Sequence, residues 1–367
     1  MTTENPRLIV AGGGTGGHVL AGVAVADTWK TQMGGKAEVS FVGASGGIEE
    51  KLVPRAGYNL ELLHLGSLNR VSAKQKIKTM LLLPLSIWKS IYILLVRKPD
   101  AVLGVGGYAS GPLVLTAKLL RLLGLTRAKT AILEQNSIPG MTNRMLGRWV
   151  DTVFCAFPGT EKQFPARANS VILTGNPVRS SMERFPSASR DPFTIFIFGG
   201  SQGAMGINTL MIEALPHLAD LKSKLRFVHQ TGEKDYERVK AAHEAAGTGA
   251  RVEKFIYDMP EVYRQSSLLV CRAGSSTLSE IATVGRAAVL VPFPQAADNH
   301  QEKNARVFSD AGAAFLMLQG SSKGEDVARL IRDAVADPSK IDQMEKSVTA
   351  FYRPKAASDI VAELLKK

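Results

Sequence analysis

LIVAGGGTGGH, residues 8–18, is a short apolar run that breaks into a glycine-rich turn and then a helix start. FTIFIFGGSQGA, residues 193–204, repeats the same device near the middle of the chain. An apolar strand, a glycine turn and a helix form the opening unit of a doubly wound α/β domain, so two such openings predict two domains. Outward from the first, Leu8–Ala11, Val39–Gly43, Ala101–Val105, Thr130–Leu133, Thr152–Ala156 and Val171–Leu173 read as strands. Outward from the second, the strands are Thr194–Phe198, Leu225–His229, Val252–Phe255, Leu268–Cys271, Ala288–Val291 and Ala314–Met317. Helical patterns separate them, which implies parallel sheets joined by crossovers. The expectation is an α/β protein of two Rossmann-like, doubly wound parallel-sheet domains, residues 1–180 and 181–351, facing each other across a cleft. The boundary falls in Asn176–Pro192, which holds Pro177, Pro186 and Pro192. A C-terminal helix, about Ala356–Leu365 within 352–367, packs on one domain or the other.

Gly12-x-Gly14-x-x-Gly17 matches the dinucleotide-binding string, a weak signal by itself. A nicotinamide site wants an acidic residue at the end of the second strand for the ribose hydroxyls. That strand ends Val42-Gly43-Ala44, and Glu49 and Glu50 come too late, so a dehydrogenase is disfavoured. The physics of the turn remains. Glycines let backbone approach a ligand, and a helix N-terminus offers N–H groups to an anion. GVGGYASG at 104–111 and GGSQG at 199–203 repeat it. Each alone could be a tight strand-to-helix turn; together they favour a phosphorylated ligand.

Charge is unevenly spread. Residues 1–180 hold 21 Lys/Arg against 10 Asp/Glu, whereas the remainder hold 24 against 23. The first half therefore faces something anionic. No RNP-like, zinc-finger or basic-zipper pattern accompanies the charge, so nucleic acid is not expected as a partner and anionic lipid is preferred. Cys155 and Cys271 lie in apolar, strand-like runs and read as buried thiols rather than a disulfide framework. The opening MTTENPRLIV lacks the features of a secretory signal. The histidines show no zinc-ligand spacing and no Asp-x-Asp occurs, so neither metal nor other cofactor is expected.

GGGTGGH at 12–18, GVGGYASGP at 104–112, EQNSIPGMTN at 134–143, GNPVR at 175–179, GGSQGA at 199–204, CRAGSSTLSE at 271–280 and DNHQEKNA at 298–305 resemble, in this order, the MurG family. These are N-acetylglucosaminyltransferases of peptidoglycan synthesis with a two-domain GT-B fold. Ala21 departs from the family, which usually has proline there; its expected effect is a slightly looser first helix. The resemblance implies UDP-N-acetylglucosamine as donor and undecaprenyl-pyrophosphoryl-muramyl-pentapeptide (lipid I) as acceptor. The acceptor 4-hydroxyl attacks the anomeric carbon with inversion, which needs a base and stabilisation of the departing diphosphate. His18 is the candidate base, with a capping or core histidine as the alternative. Thr15, Gly16 and Gly17 belong to the same turn and touch substrate. By the same resemblance Ser201 touches the diphosphate, Arg179 adds positive charge, and Ile256 offers backbone groups to uracil. Glu280 accepts both ribose hydroxyls, unless it is simply a solvated helix glutamate. It lies in a helical stretch opened by Ser275, Ser276 and Thr277, whose free N–H groups add to anion binding, and Leu278 and Ser279 of the same stretch are also assigned to substrate. Gln301 with His300, and Asn136, resemble the contacts to the sugar, although Asn136 could equally be a turn residue before Pro139. Gly106, Gly107, Tyr108 and Ser110 are assigned more weakly to the acceptor side.

MLLLPLSIWKSIYILLV, residues 80–96, is the most apolar stretch, too interrupted by Pro84 and Lys89 to span a bilayer. As a helix from about Pro84 it carries Leu85, Trp88, Tyr92 and Leu95 on one face. Lys74, Lys76, Lys78, Lys89, Arg97 and Lys98 stand around it. This pattern fits a monotopic protein lying on an anionic leaflet, and the resemblance implies a peripheral place on the cytoplasmic face of the bacterial inner membrane, with other cell-wall synthesis proteins as further partners. A buried helix with solvated lysines fits the sequence equally well. Rival functions are another GT-B lipid transferase, such as a diacylglycerol glycosyltransferase, and a non-catalytic nucleotide-sugar-binding subunit.

Overall fold

The computed structural model describes residues 5–34, 36–65, 73–165 and 170–366, the side chains of 73–80 excepted. The chain divides into two units, Met1–Ser180 with Arg353–Lys367, and Ser181–Tyr352.

In the first unit the strands are β1 (Arg7–Gly12), β2 (Glu38–Ala44), β3 (Asn59–Leu63), β4 (Ala101–Gly106), β5 (Lys129–Glu134), β6 (Thr152–Cys155) and β7 (Val171–Leu173). They form one sheet in the order 3-2-1-4-5-6-7 with every pairing parallel. Between them run α1 (Gly16–Gln32), α2 (Glu49–Arg55), α3 (Ala73–Arg97), α4 (Ser110–Leu122) and α5 (Met141–Leu146). Side chains alternate across a strand, and β1 is apolar on both faces. Leu8 and Val10 pack with Val25 and Trp29 of α1. Ile9 and Ala11 pack on the other side with Leu94 of α3 and Leu113 of α4.

The second unit holds β8 (Phe193–Phe198), β9 (Leu225–Gln230), β10 (Arg251–Glu253), β11 (Leu268–Cys271), β12 (Ala288–Leu290) and β13 (Phe315–Leu316). Their order is 10-9-8-11-12-13, again all parallel. The helices are α6 (Met205–Ala214), α7 (Tyr236–Ala245), α8 (Met259–Gln265), α9 (Ser275–Val284), α10 (His300–Asp310), α11 (Gly324–Ala336) and α12 (Ser339–Ser347). Ile195 and Ile197 pack against Met211 of α6 and Ile331 of α11, while Phe196 and Phe198 turn to the edge of Tyr263 on α8. The last helix, α13 (Ala356–Leu365), returns to the first unit, where Ile360, Val361 and Leu364 join Leu8 and Val10.

Strand order reverses between β1 and β4 in one sheet and between β8 and β11 in the other. In doubly wound sheets ligands bind outside the carboxyl ends of the strands at such a reversal. The glycine turns after β1, β4 and β8 and the start of α9 all lie there.

Three expectations change. The edge strand β3 is absent from the sequence reading because Asn59-Leu-Glu-Leu-Leu63 alternates over only four residues and has no β-branched residue. Ala21 is the sixth residue of α1, buried in its second turn. A proline there would remove an N–H that the helix uses, so alanine strengthens rather than loosens it. The apolar helix α3 begins at Ala73, well before Pro84. The side chains of Lys74, Lys76 and Lys78 lie outside the described residues.

Candidate active site

Backbone meets backbone where β1 and β4 end. The Gly13 amide donates to the Gly106 carbonyl at 3.1 Å. A Cβ on Gly107 (φ +85°) would stand 2.4 Å from the Gly13 carbonyl oxygen, so no side chain fits between the two turns. Thr15 is the N-cap of α1, and its hydroxyl accepts from the His18 amide at 3.4 Å. The cap is therefore Thr15, and the His18 side chain is left for another task. His18 Nδ1 lies 3.0 Å from the Gly13 carbonyl. A carbonyl only accepts, so Nδ1 carries the proton, and in the neutral ring the lone pair is on Nε2. The ring lies against Gly106, where a Cβ would come within 3.0 Å of Nε2. Thr15 is exposed, and Gly16, Gly17, His18, Gly107 and Tyr108 are half-buried. Ser110 departs from its assignment. It is fully buried, and its hydroxyl would lie 2.3 Å from a Cβ on Gly104, so it faces the sheet rather than an acceptor.

Beyond β5, Asn136 is half-buried in a loop organised by Glu134. One Glu134 carboxylate oxygen accepts from the Asn136 amide (2.8 Å) and side chain (3.3 Å). The other accepts from the Gly140 amide (3.0 Å) and Asn143 (2.9 Å). Asn136 is thus a loop residue whose side chain a buried carboxylate aims. Arg179 is half-buried and lies in the first unit, just before the division at Ser180.

The second unit repeats the close approach. Gly203 (φ +73°) would place a Cβ 1.9 Å from the Thr231 carbonyl, and Ser201 is exposed at the tip of that turn. Beside it a cavity of about 650 Å³ is lined by Gly203, Arg272, Gly274, Thr277, Gln301 and Gln319, among others. Helix α9 opens onto it with Gly274 as N-cap, so the amides of Ser275, Ser276 and Thr277 start the helix without intrahelical acceptors. Leu278 and Ser279 differ from expectation. The Leu278 amide donates to the Gly274 carbonyl (3.0 Å) and its side chain is fully buried, while the Ser279 hydroxyl donates to the Ser275 carbonyl (2.9 Å). Both hold the helix together. Glu280 is half-buried and accepts from the Tyr263 hydroxyl at 3.1 Å. The Gln301 side chain accepts from the Phe293 amide (3.0 Å), and His300 Nδ1 donates to the Ala297 carbonyl (2.7 Å). Ser201, Ile256, Glu280 and His300 do not line the cavity.

Two residues that the sequence gives no role shape this unit. The Arg272 guanidinium donates to the Val291 and Pro292 carbonyls and to Gln319, and burial holds its pKa down to about 10, which still leaves it charged at neutral pH. Gln230 is buried and bridges two loops. It donates to the Gly200 carbonyl (2.9 Å) and accepts from the Ile256 amide (2.8 Å). The Ile256 N–H is thus already engaged, its side chain is fully buried, and Phe255 and Tyr257 on either side are exposed. Neither bridge leaves a sequence signal, because each partner lies tens of residues away.

In α3, Leu85, Trp88, Tyr92 and Leu95 are all exposed, Trp88 by 72%. Helix α4, packed on α3, also exposes Leu119 and Leu122, which the sequence reading left out. Lys89 departs from the membrane face: its ammonium donates to the Leu62 carbonyl at 2.7 Å, tying α3 to β3. Both cysteines are buried, and burial raises both thiol pKa values. Among the described residues no three His, Cys, Asp or Glu side chains converge.

Two all-parallel Rossmann-like sheets with glycine turns at their reversal points define the GT-B fold. Models of the glycosyltransferase family 28 N-terminal and C-terminal domains match residues 8–155 and 194–360. A Myxococcus xanthus (strain DK1622) protein is 43% identical over 96% of this chain and 91% of its own length. It is named UDP-N-acetylglucosamine–N-acetylmuramyl-(pentapeptide) pyrophosphoryl-undecaprenol N-acetylglucosamine transferase. A Geobacter sp. (strain M21) protein of the same name is 43% identical over 98% of this chain and 96% of its own. The crystal structure of Acinetobacter baumannii MurG matches with a TM-score of 0.77 at 31% identity, covering 99% of this chain and 100% of that one. A UDP-GlcNAc 2-epimerase from Neisseria meningitidis matches at TM-score 0.64 and 14% identity, a likeness of fold alone. The chain belongs to glycosyltransferase family 28, in its MurG group.

Proposed function

We infer that the chain carries out the transfer for which its relatives are named. N-acetylglucosamine passes from UDP-N-acetylglucosamine to lipid I, giving lipid II and UDP in peptidoglycan synthesis. The observation that carries this reading is 43% identity sustained over nearly the whole length of both partners. In the mechanism we propose, the muramyl 4-hydroxyl attacks the anomeric carbon and its proton passes to Nε2 of His18. The bond from that carbon to the diphosphate breaks with inversion, and UDP leaves. The Nδ1 bond to the Gly13 carbonyl supports this role, since it puts the lone pair on the other nitrogen. The amides that open α9, the 199–203 turn and Arg179 stabilise the diphosphate. Glu280 takes the ribose hydroxyls, the Ile256 carbonyl joins uracil recognition, and Gln301 with Asn136 reads the sugar.

The exposed face of α3 supports a peripheral place on an anionic bilayer, on the cytoplasmic face where lipid I would be met. No helix among the described residues is long and apolar enough to cross a membrane. Donor competition tests the function. With a short-chain lipid I analogue, UDP-N-acetylglucosamine should be used and UDP-glucose or UDP-galactose should compete poorly. Preference for UDP-glucose with diacylglycerol as acceptor would mean a different lipid transferase.

A further inference from the structure

Glu49 is fully buried although it carries a carboxylate, and the transfer chemistry makes no use of it. Its two oxygens accept from two backbone amides of different turns: Gly14 at 2.9 Å, in the turn after β1, and Ala44 at 3.0 Å, at the end of β2. Three glycines enclose it. A Cβ on Gly13 would stand 2.0 Å from the carboxylate, one on Gly47 2.2 Å, and one on Gly43 2.6 Å from its Cγ. None of the three has a left-handed φ, so glycine is needed there for room rather than for backbone conformation. Three neighbouring positions have given up their side chains to seat one carboxylate. That carboxylate holds the Gly14 amide, and the peptide preceding it ends in the Gly13 carbonyl that receives the His18 Nδ1 proton.

We propose that Glu49 is a positioning residue. By seating the peptide between Gly13 and Gly14 it fixes the carbonyl that sets the tautomer and orientation of the His18 ring. The step from ring orientation to rate rests on the reading of His18 as the base. A carboxylate suits the task because both its oxygens accept, one for each amide. Glutamine would turn an NH₂ donor toward an N–H donor and lose one of the two bonds.

The test reads the ring directly. In full-length protein with ¹⁵N-labelled histidine, the His18 signal is identified among six histidines by its loss in His18→Gln. The wild-type ring should be protonated at Nδ1, and an Nε2-protonated ring would overturn the proposal at once. Glu49→Gln should introduce the Nε2–H tautomer and lower kcat by roughly 10- to 100-fold, the scale of a catalytic group displaced by about an ångström. The donor KM should change less than kcat. Gly43→Ala keeps the carboxylate but pushes on its stem, and it should shift the ring in the same direction even if Glu49→Gln does not fold. A ring unchanged in a folded variant contradicts the positioning role, whether or not kcat falls. A ring that changes with kcat intact supports the positioning role and removes His18 from the chemistry.

Discussion

At His18 the tautomer follows from one backbone carbonyl, and this gives the residue a sharp signature. His18→Ala should lower kcat by roughly 10²–10⁴-fold, the range for loss of a general base, with UDP affinity nearly unchanged. Single-turnover transfer and UDP titration check it; collapsed UDP affinity with undiminished chemistry would make His18 a binding residue. Glu280 gives the opposite pattern. Glu280→Ala removes a charged acceptor whose hydrogen bonds are worth ~1.5–3 kcal/mol each, so the donor KM should rise at least tenfold. An unchanged KM would remove Glu280 from the donor site. Residues of this kind were readable because each sits in a glycine- or serine-rich string beside its strand. Gln230 and Arg272 were not, since they bond groups far along the chain, and Glu134 was not because a carboxylate that serves the amides of its own loop carries no mark in the sequence. In sequence Glu49 comes too late after β2 to serve as a ribose ligand. The geometry gives it a seat under the turn instead.

Among the elements, α3 carries the clearest surface consequence. Leu85, Trp88 and Tyr92 are exposed on it and Lys98 follows its end, while Arg97, its last residue, is paired with Glu61 at 3.0 Å. Basic residues near an anionic leaflet contribute ~1 kcal/mol each, screened over a Debye length of ~8 Å at physiological salt. Co-sedimentation with anionic vesicles should weaken as salt rises and weaken further in Leu85→Ser/Trp88→Ser. Activity on a water-soluble acceptor should survive both substitutions. Binding indifferent to salt, lipid charge and substitution would contradict a membrane role for this face. Lys89 should matter little to vesicle binding, because it is tied to Leu62. Most strands were legible as apolar runs broken by turns. β3 was not, because an edge strand covered by α2 and α3 tolerates leucine and glutamate where a central strand takes valine and isoleucine.

On the scale of the molecule, the second unit contains a buried polar chain that couples its stability to pH. His229 bonds to His243 at 3.2 Å and to Asn208 at 3.1 Å, and Asn208 bonds to Asp235, which pairs with Arg238. Burial and then His243 lower the His229 pKa to about 3, and burial lowers that of His243 to about 4. In the unfolded chain both titrate near 6.5. Above that value neither state binds the protons and stability is unaffected. As pH falls from about 6.5 toward 4 the unfolded chain gains protons that the folded one refuses. Stability should then drop by up to ~1.4 kcal/mol per pH unit for each histidine. Thermal unfolding between pH 7.5 and 4.5 should show the loss, and His229→Gln/His243→Gln should flatten it; an equal slope in the variant would locate the acid sensitivity elsewhere.

The most direct measurement of the central claim is the product itself. Purified protein, UDP-N-acetylglucosamine and a short-chain lipid I analogue are incubated in EDTA, and the lipid product is examined by NMR. One UDP should be released per N-acetylglucosamine transferred, with the sugar on the muramyl 4-hydroxyl and a β linkage formed from the α-linked donor. An α linkage, transfer to another hydroxyl, or UDP release with no sugar on the lipid would contradict that claim.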